Sequence, residues 1–288
     1  MSSNPTPSEA PAVWRTARFD LALDEPRIMG IVNLTPDSFS DGGSHVNARA
    51  ALAHCEQLLK DGAHLLDIGG ESTRPGARPL PLDEELARVM PVLREAVRLG
   101  VPVSVDTYKA GVMRAALDAG ADAINDVWAL RQPGARDAVA AHPRCGVCLM
   151  HMHGEPETMQ TAPMSGDPIA QVLSFWKLRV ADLRAGGIEP ARISLDPGVG
   201  FGKTPAQNFA LLARQRELLA AGLPLLVGWS RKSSLGHATG LAEPRERLVP
   251  SVAAALLAAE RGARILRVHD ARETALALAV WRAARPAA

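Results

Sequence analysis

Residues 102–126 read PVSVDTYKAGVMRAALDAGADAIND. Pro102–Asp106 is a short, valine-rich run that ends on a carboxylate. Lys109–Ala119 is amphipathic at helical spacing, and Ala123–Asp126 is a second short apolar run, ending on Asn125 and Asp126. A strand, a helix and a strand in so few residues make a βαβ unit, whose two strands must lie parallel. The apolar runs are too continuous to be half-exposed, which suits strands covered on both faces.

The same alternation extends in both directions. Further strands are read at Arg27–Asn33, His64–Gly69, Gly146–Met150, Arg192–Asp196, Leu225–Gly228 and Arg264–Val268. Amphipathic segments lie between or after them at Ala48–Lys60, Asp83–Leu99, Pro168–Ala185, Pro205–Ala220, Glu246–Arg261 and Ala271–Arg282. Eight strands and about eight helices fit a (β/α)8 TIM barrel better than a doubly wound sheet. Polar or Gly-rich clusters follow the strands, as they do where βα loops build a barrel's active face. A single barrel is expected over residues 25–288, preceded by a flexible Ser-, Pro- and Ala-rich tail over residues 1–24.

Composition narrows the function. The chain has 288 residues, 22% charged and 47% hydrophobic, with a formal net charge of +1. That composition supports a sizeable core and excludes general disorder. A balanced charge gives no global field for nucleic acid or an anionic membrane, and 4% aromatics do not make a base-stacking platform. No apolar stretch approaches the ~18 residues of a membrane span. The N-terminus lacks a secretory pattern and the three cysteines form no framework, so a soluble, cytoplasmic protein is expected.

The strand-end loops carry the chemistry, and each has an ordinary alternative. Asn33–Gly43 (NLTPDSFSDGG) opens with a carboxamide and holds Asp37 and Asp41; it suits metal or substrate contacts, or a turn in which Asp37 and Ser38 bond their own backbone. In Asp67–Gly76 (DIGGESTRPG), Thr73 and Arg74 suit an anion, or a surface loop. Asp106 and Asn125 suit a planar ligand with donor and acceptor edges, or helix caps. Asp196–Thr204 (DPGVGFGKT) looks like a nucleotide P-loop, but the required first glycine falls on Pro197. Its three glycines imply close backbone approach to a ligand or a tight turn. Arg231 and Lys232 in GWSRKSS suit an anionic or electron-rich ligand. Arg267 and His269 fall on one side of an extended chain and together suit a diphosphate. Arg74, Lys203, Arg231, Lys232 and Arg267 are all expected at one face beside Asp106 and Asp196. Cys145, Cys148, His151 and His153 suggest zinc, but residues three apart on a strand point to opposite faces. The thiols, Cys55 included, are read as small core groups.

The ordered set NLTPDSFSDGG, DIGGESTRPGA, SVDT, IND, LMHM, DPGVGFGK, GWSRKS and RVHD, spread over residues 28–270, resembles the bacterial dihydropteroate synthases. That resemblance implies a (β/α)8 barrel joining 4-aminobenzoate to 6-hydroxymethyl-7,8-dihydropterin diphosphate, with loss of diphosphate to a pterin cation before amine attack. It assigns the pterin to Asp106, Asn125, Asp196 and Lys232. It assigns the diphosphate to Asn33, Thr73, Arg74, Arg267 and His269, with Mg2+ on Asn33. Phe39, Asp41, Pro75, Lys232 and Ser233 would frame the 4-aminobenzoate, and sulfonamides, which mimic it, would bind there. Asp106, Lys232, Arg267 and His269 are the catalytic candidates, and a homodimer is implied. Tyr108, Trp128 and Val199 depart from the pattern at positions given no role. A pterin-binding methyltransferase domain would need neither a diphosphate site nor an arylamine loop, so SRKS, RVHD and TPDSFSDGG favour the synthase. A silent pterin-binding paralogue is the reading from another class.

Overall fold

Trp14, in a stretch expected to be tail, is completely buried. The computed structural model describes residues 13–34, 44–72, 78–155, 158–159 and 161–284, with backbone only for 44–47. Over Val13–Arg15 (β1) and Asp20–Ala22 (β2) the chain forms an antiparallel ribbon. The expectation of a flexible tail to residue 24 is therefore corrected for residues 13–24; residues 1–12 lie outside the described part. The physical reason is burial. The Trp14 indole N–H donates to the Arg192 carbonyl at 2.9 Å, and the Arg18 guanidinium clasps the buried carboxylate of Asp122, with one contact of 2.6 Å.

The barrel follows as β3 (Arg27–Asn33), α1 (Ser44–Lys60), β4 (Leu65–Gly69), α2 (Leu82–Ala96), β5 (Val103–Asp106), α3 (Ala110–Asp118), β6 (Ala123–Asp126), α4 (Ala135–Ala140), β7 (Gly146–Met150), α5 (Pro168–Ala185) and β8 (Ile193–Asp196). It is completed by α6 (Pro205–Ala213), α7 (Gln215–Leu218), β9 (Leu226–Val227), α8 (Ser233–Thr239), α9 (Leu248–Glu260), β10 (Ile265–Val268) and α10 (Ala271–Ala283). The eight strands pair in parallel in the order β8-β7-β6-β5-β4-β3-β10-β9, and a parallel bridge from Leu195 to Leu225 joins the two ends. The expected (β/α)8 architecture is present, with all eight strands where the sequence reading puts them. Several begin one residue later than read, and β9 is only two residues long. The segment Pro205–Ala220, read as one helix, breaks at Arg214, whose guanidinium holds Asp167 and Glu217.

Strand alternation sorts the side chains. Met29, Leu65, Ala123, Cys148, Leu226 and Ile265 form a buried cluster with Trp14 and Leu23. These strand residues face the barrel interior, and the N-terminal ribbon plugs them from the end where the strands begin. Two residues further along the same faces stand Asp67, Asn125 and Arg267, and then Gly69 and His269. A second, larger aliphatic core lies between the strands and the helices. Cys145 belongs to that outer core and Cys148 to the interior, so the two thiols diverge as expected. Among the described residues no cluster of three metal-ligating side chains forms, and no helix is long and apolar enough to cross a membrane.

Candidate active site

Register gathers the site. Asn33 pairs with Gly69, Gly69 with Asp106 and Asp106 with Asn125, while Asp196 pairs with Met150 on the next strands round. In-register neighbours in a sheet share a face, so strand-end polar groups of separate loops line one mouth. Its floor is an ion network. Arg267 donates through Nε to Asp67 at 2.6 Å and through Nη2 to Asp106 at 2.7 Å. Asn125 donates through Nδ2 to the same Oδ2 of Asp67, at 3.0 Å.

The electrostatics follow from burial. Loss of solvent pushes the Asp106 carboxyl above the ordinary carboxylate range; Arg267 opposes the shift, and Asp67, Asp126 and Glu85 add to it. Asp196 is also raised by burial, against the pull of the Gly198 N–H, Lys232, Arg267 and Lys203. Asp126, next to Asn125, is pushed up to about 7, yet its oxygens accept from the backbone N–H groups of Trp128 and Leu130 at 2.8 and 2.7 Å. Those bonds shape the turn after β6, and Asp126 is a structural residue.

The loop after β8 fits tightly under the site. Gly198 and Gly202 have φ of +67° each, and a Cβ on them would fall 1.9 and 2.1 Å from the carbonyl oxygens of His151 and His153. Glycine is required by both conformation and space. Lys203 is buried here rather than facing a ligand, which corrects its expected place on the cationic face. Its Nζ donates to the carbonyls of Gly198, Phe201 and His151 at 2.9, 3.1 and 3.2 Å and lies 2.9 Å from His151 Nδ1. Burial draws this lysine down to about 7 and His151 down to about 3. Thr204, part of the P-loop lookalike, caps α6 through a reciprocal pair of bonds with Gln207.

Lys232 precedes α8 with its Nζ 4.4 Å from the centre of the Phe201 ring, and its charge lowers Asp196. Ser233 starts α8 and is exposed. Arg231 pairs with Asp270 at 2.6 Å, so its charge is met by protein rather than left for a ligand. His269 lies against Ser230, whose Oγ accepts from the His269 backbone N–H at 3.1 Å and stands 2.9 Å from Nδ1. That contact holds the imidazole by Nδ1 and orients Nε2 away from Ser230. Asn33 stands half-buried at the end of β3. Thr73, Arg74, Phe39, Asp41 and Pro75 lie outside the described residues.

Two groups given no role in the sequence reading emerge. Asp67 joins Arg267 to Asn125, and its signal was a lone acid inside the apolar run Leu65–Gly69. Glu71 accepts from the Tyr108 hydroxyl at 2.8 Å, from the Leu80 N–H at 3.1 Å and from Lys109, which also holds Glu85 at 2.5 Å. Tyr108 meets Trp128 edge-on at 6.4 Å, so two positions that depart from the family pattern pack against each other.

The family model for pterin binding enzymes matches residues 29–269. The dihydropteroate synthase of Neisseria meningitidis serogroup B is 54% identical over 276 residues, covering 94% of this chain and 97% of its own. The chain belongs to the dihydropteroate synthase family. Solved structures agree. Xanthomonas albilineans dihydropteroate synthase with 4-aminobenzoic acid superposes with a TM-score of 0.88 at 51% identity, over 98% of this chain and all of that one. The Yersinia pestis dihydropteroate synthase in a sulfonamide drug complex gives 0.90 at 46% identity, over 96% of this chain and 100% of that one. Membership in the dihydropteroate synthase family makes this chain an enzyme of that type, and the barrel mouth is where its polar strand ends meet.

Proposed function

We propose that this enzyme condenses 6-hydroxymethyl-7,8-dihydropterin diphosphate with 4-aminobenzoate, giving 7,8-dihydropteroate and diphosphate, and that sulfonamides compete for the 4-aminobenzoate subsite. The observation that carries this reading is the inward set of Asp106, Asn125 and Asp196 with Lys232 beside it. A pterin presents a flat 2-amino-4-oxo edge with adjacent donors, and carboxylates accept such paired donors. Lys232 supplies the donor for a ring acceptor.

The C–O bond to diphosphate breaks with its electron pair on the leaving oxygen, placing positive charge on the pterin methylene. Asp106, raised by burial and held by Arg267, faces that charge. His269 and Arg267 stabilise the departing oxygens. The arylamine nitrogen then forms the C–N bond and gives up a proton. A neutral arylamine needs positioning more than activation; the family pattern gives that role to Ser233, Phe39, Asp41 and Pro75. Thr73 and Arg74 complete the diphosphate site in the same pattern.

Mg2+ is part of this reading. Such an ion would be held mainly by substrate phosphates and water, and the half-buried Asn33 at the strand end is the residue that would supply a protein oxygen. When bound, the ion would offset phosphate charge as the C–O bond breaks. A cytoplasmic homodimer belongs to the proposal too, tested by sedimentation; α9 and α10, packed together, expose Val249, Leu276 and Val280.

The deciding assay mixes the protein with pterin diphosphate, 4-aminobenzoate and Mg2+ and follows diphosphate release and pteroate formation. Stoichiometric release of both products is the expected result. Pterin binding without condensation would overturn the synthase reading in favour of a binding protein.

A further inference from the structure

Asp67 is fully buried in β4, at the centre of the barrel, and carries none of the roles above. One of its oxygens does two things at once. Oδ2 accepts from Arg267 Nε at 2.6 Å and from Asn125 Nδ2 at 3.0 Å. Its other oxygen, Oδ1, is buried and has no hydrogen-bond partner among the described residues. The Arg267 guanidinium is therefore the main countercharge this carboxylate meets.

The charge count gives the consequence. Arg267 reaches both Asp67 and Asp106, so two carboxylates share one cation. Without Asp67, the guanidinium and Asp106 would cancel. With it, the guanidinium is shared, and its hold on the carboxylate that faces the reacting pterin is weaker. Asp67 also holds the Asn125 side chain by its amide N–H, which leaves the Asn125 carbonyl oxygen to accept from another group.

We propose that Asp67 is a positioning residue that acts through Arg267 and Asn125. It fixes the Arg267 guanidinium between two carboxylates, so that Asp106 stays available to the pterin cation rather than locked in a one-to-one pair, and it holds the Asn125 amide. The inference rests on the synthase reading. Charged groups facing Asp106 come from four elements or their ends: Arg267 on β10, Asp67 on β4, Asp126 at the end of β6 and Glu85 on α2. Asp67 raises Asp106, so its removal has a defined sign: the carboxyl ionises at lower pH.

The test is Asp67→Asn, which keeps the shape and removes the charge. Folding is checked by circular dichroism, and kcat, both KM values and the pH profile are measured against wild type. The expected result is a fall in kcat of about 100-fold, the size found for losing one pre-positioned electrostatic contact. KM for 4-aminobenzoate should stay within about twofold, as for an interaction made only in the transition state. The acid limb of kcat/KM should move to lower pH. A merely structural role would reduce active protein without moving that limb. The proposal is overturned by kcat within about threefold of wild type, or by a loss with the acid limb fixed. Should Asp67→Asn fail to fold, Asp67→Glu decides, because it keeps the charge. Its acid limb should stay in place, and a limb that moves down overturns the proposal. Wild-type turnover in the same assays tests the synthase reading separately.

Discussion

Asp106 and Asp196 are carboxylates whose burial resists ionisation, and both are raised above the ordinary range. The pterin donors need the ionised form, so the sign is fixed. Below the raised pKa values one oxygen of each carries a proton and donates instead of accepting; above them both oxygens accept. Activity should therefore rise with pH through those values, and the acid limb of kcat/KM should lie above the usual carboxylate range. Pterin binding near pH 6 should release protons, seen as a buffer-dependent enthalpy in calorimetry. Binding without proton release would remove these two carboxylates from the pterin site. Lys232 makes a second prediction. It sits half-buried over Phe201 and contributes no helix-capping side-chain bond. Lys232→Ala should lose about 100-fold in kcat/KM while its melting curve stays close to wild type. Near-normal turnover would refute its role. Most of these residues were legible because each is a polar group at the end of an apolar strand. Asp67 shows no role in the sequence alone, since its meaning depends on Arg267, 200 positions away.

The loop after β8 shows how an element can be read for its chemistry and misread for its parts. Its glycines signalled close backbone approach, and they deliver it, but the neighbour is the His151–His153 backbone of the preceding loop rather than a ligand. Gly198→Ala would need a left-handed alanine and a shift of the His151 carbonyl, because its Cβ would lie 1.9 Å from that oxygen. The strain alone is worth about 1–3 kcal/mol, and the clash adds to it. Chemical denaturation should show a loss of about 3 kcal/mol or more, with raised KM for the pterin because Asp196 starts this loop. A variant as stable as wild type would mean that the two loops are not interlocked. Lys203 and Arg231 were expected beside the ligand on charge alone. A sequence shows that a cation is present, not which carbonyls or carboxylates lie within reach. Periodicity did well for α5, read at its full extent of Pro168–Ala185 and capped by Asp167 with Pro168 behind it. It did worse for α4 and α8, whose six and seven residues are too short to carry a helical period.

The barrel has two ends with different physics, and the N-terminal ribbon belongs to the one without chemistry. Trp14 and Leu23 close the interior below Met29, Leu65, Ala123, Cys148, Leu226 and Ile265, while Arg18 ties the ribbon to Asp122 and to the carbonyls of Val97 and Val101. That part of the fold was not legible: the ribbon's strands have three residues each, below the length at which alternation is distinctive, and they follow a Ser- and Pro-rich stretch. Its contribution should be large. Trp14→Ala removes a fully buried indole and leaves the Arg192 carbonyl without its 2.9 Å donor. Large-to-small changes of this kind cost about 3–5 kcal/mol, and the lost hydrogen bond adds about 1 kcal/mol. Urea unfolding should report that loss. The opposite end should not feel it: under conditions where the variant stays folded, kcat and both KM values should match wild type, because Asp106, Asp196 and Lys232 are held by strand ends and loops that the ribbon does not touch. A Trp14→Ala enzyme with wild-type stability would mean that the ribbon only covers the barrel. A folded variant with altered KM would mean that the plug sets the interior layer on which Asp67 and Arg267 rest.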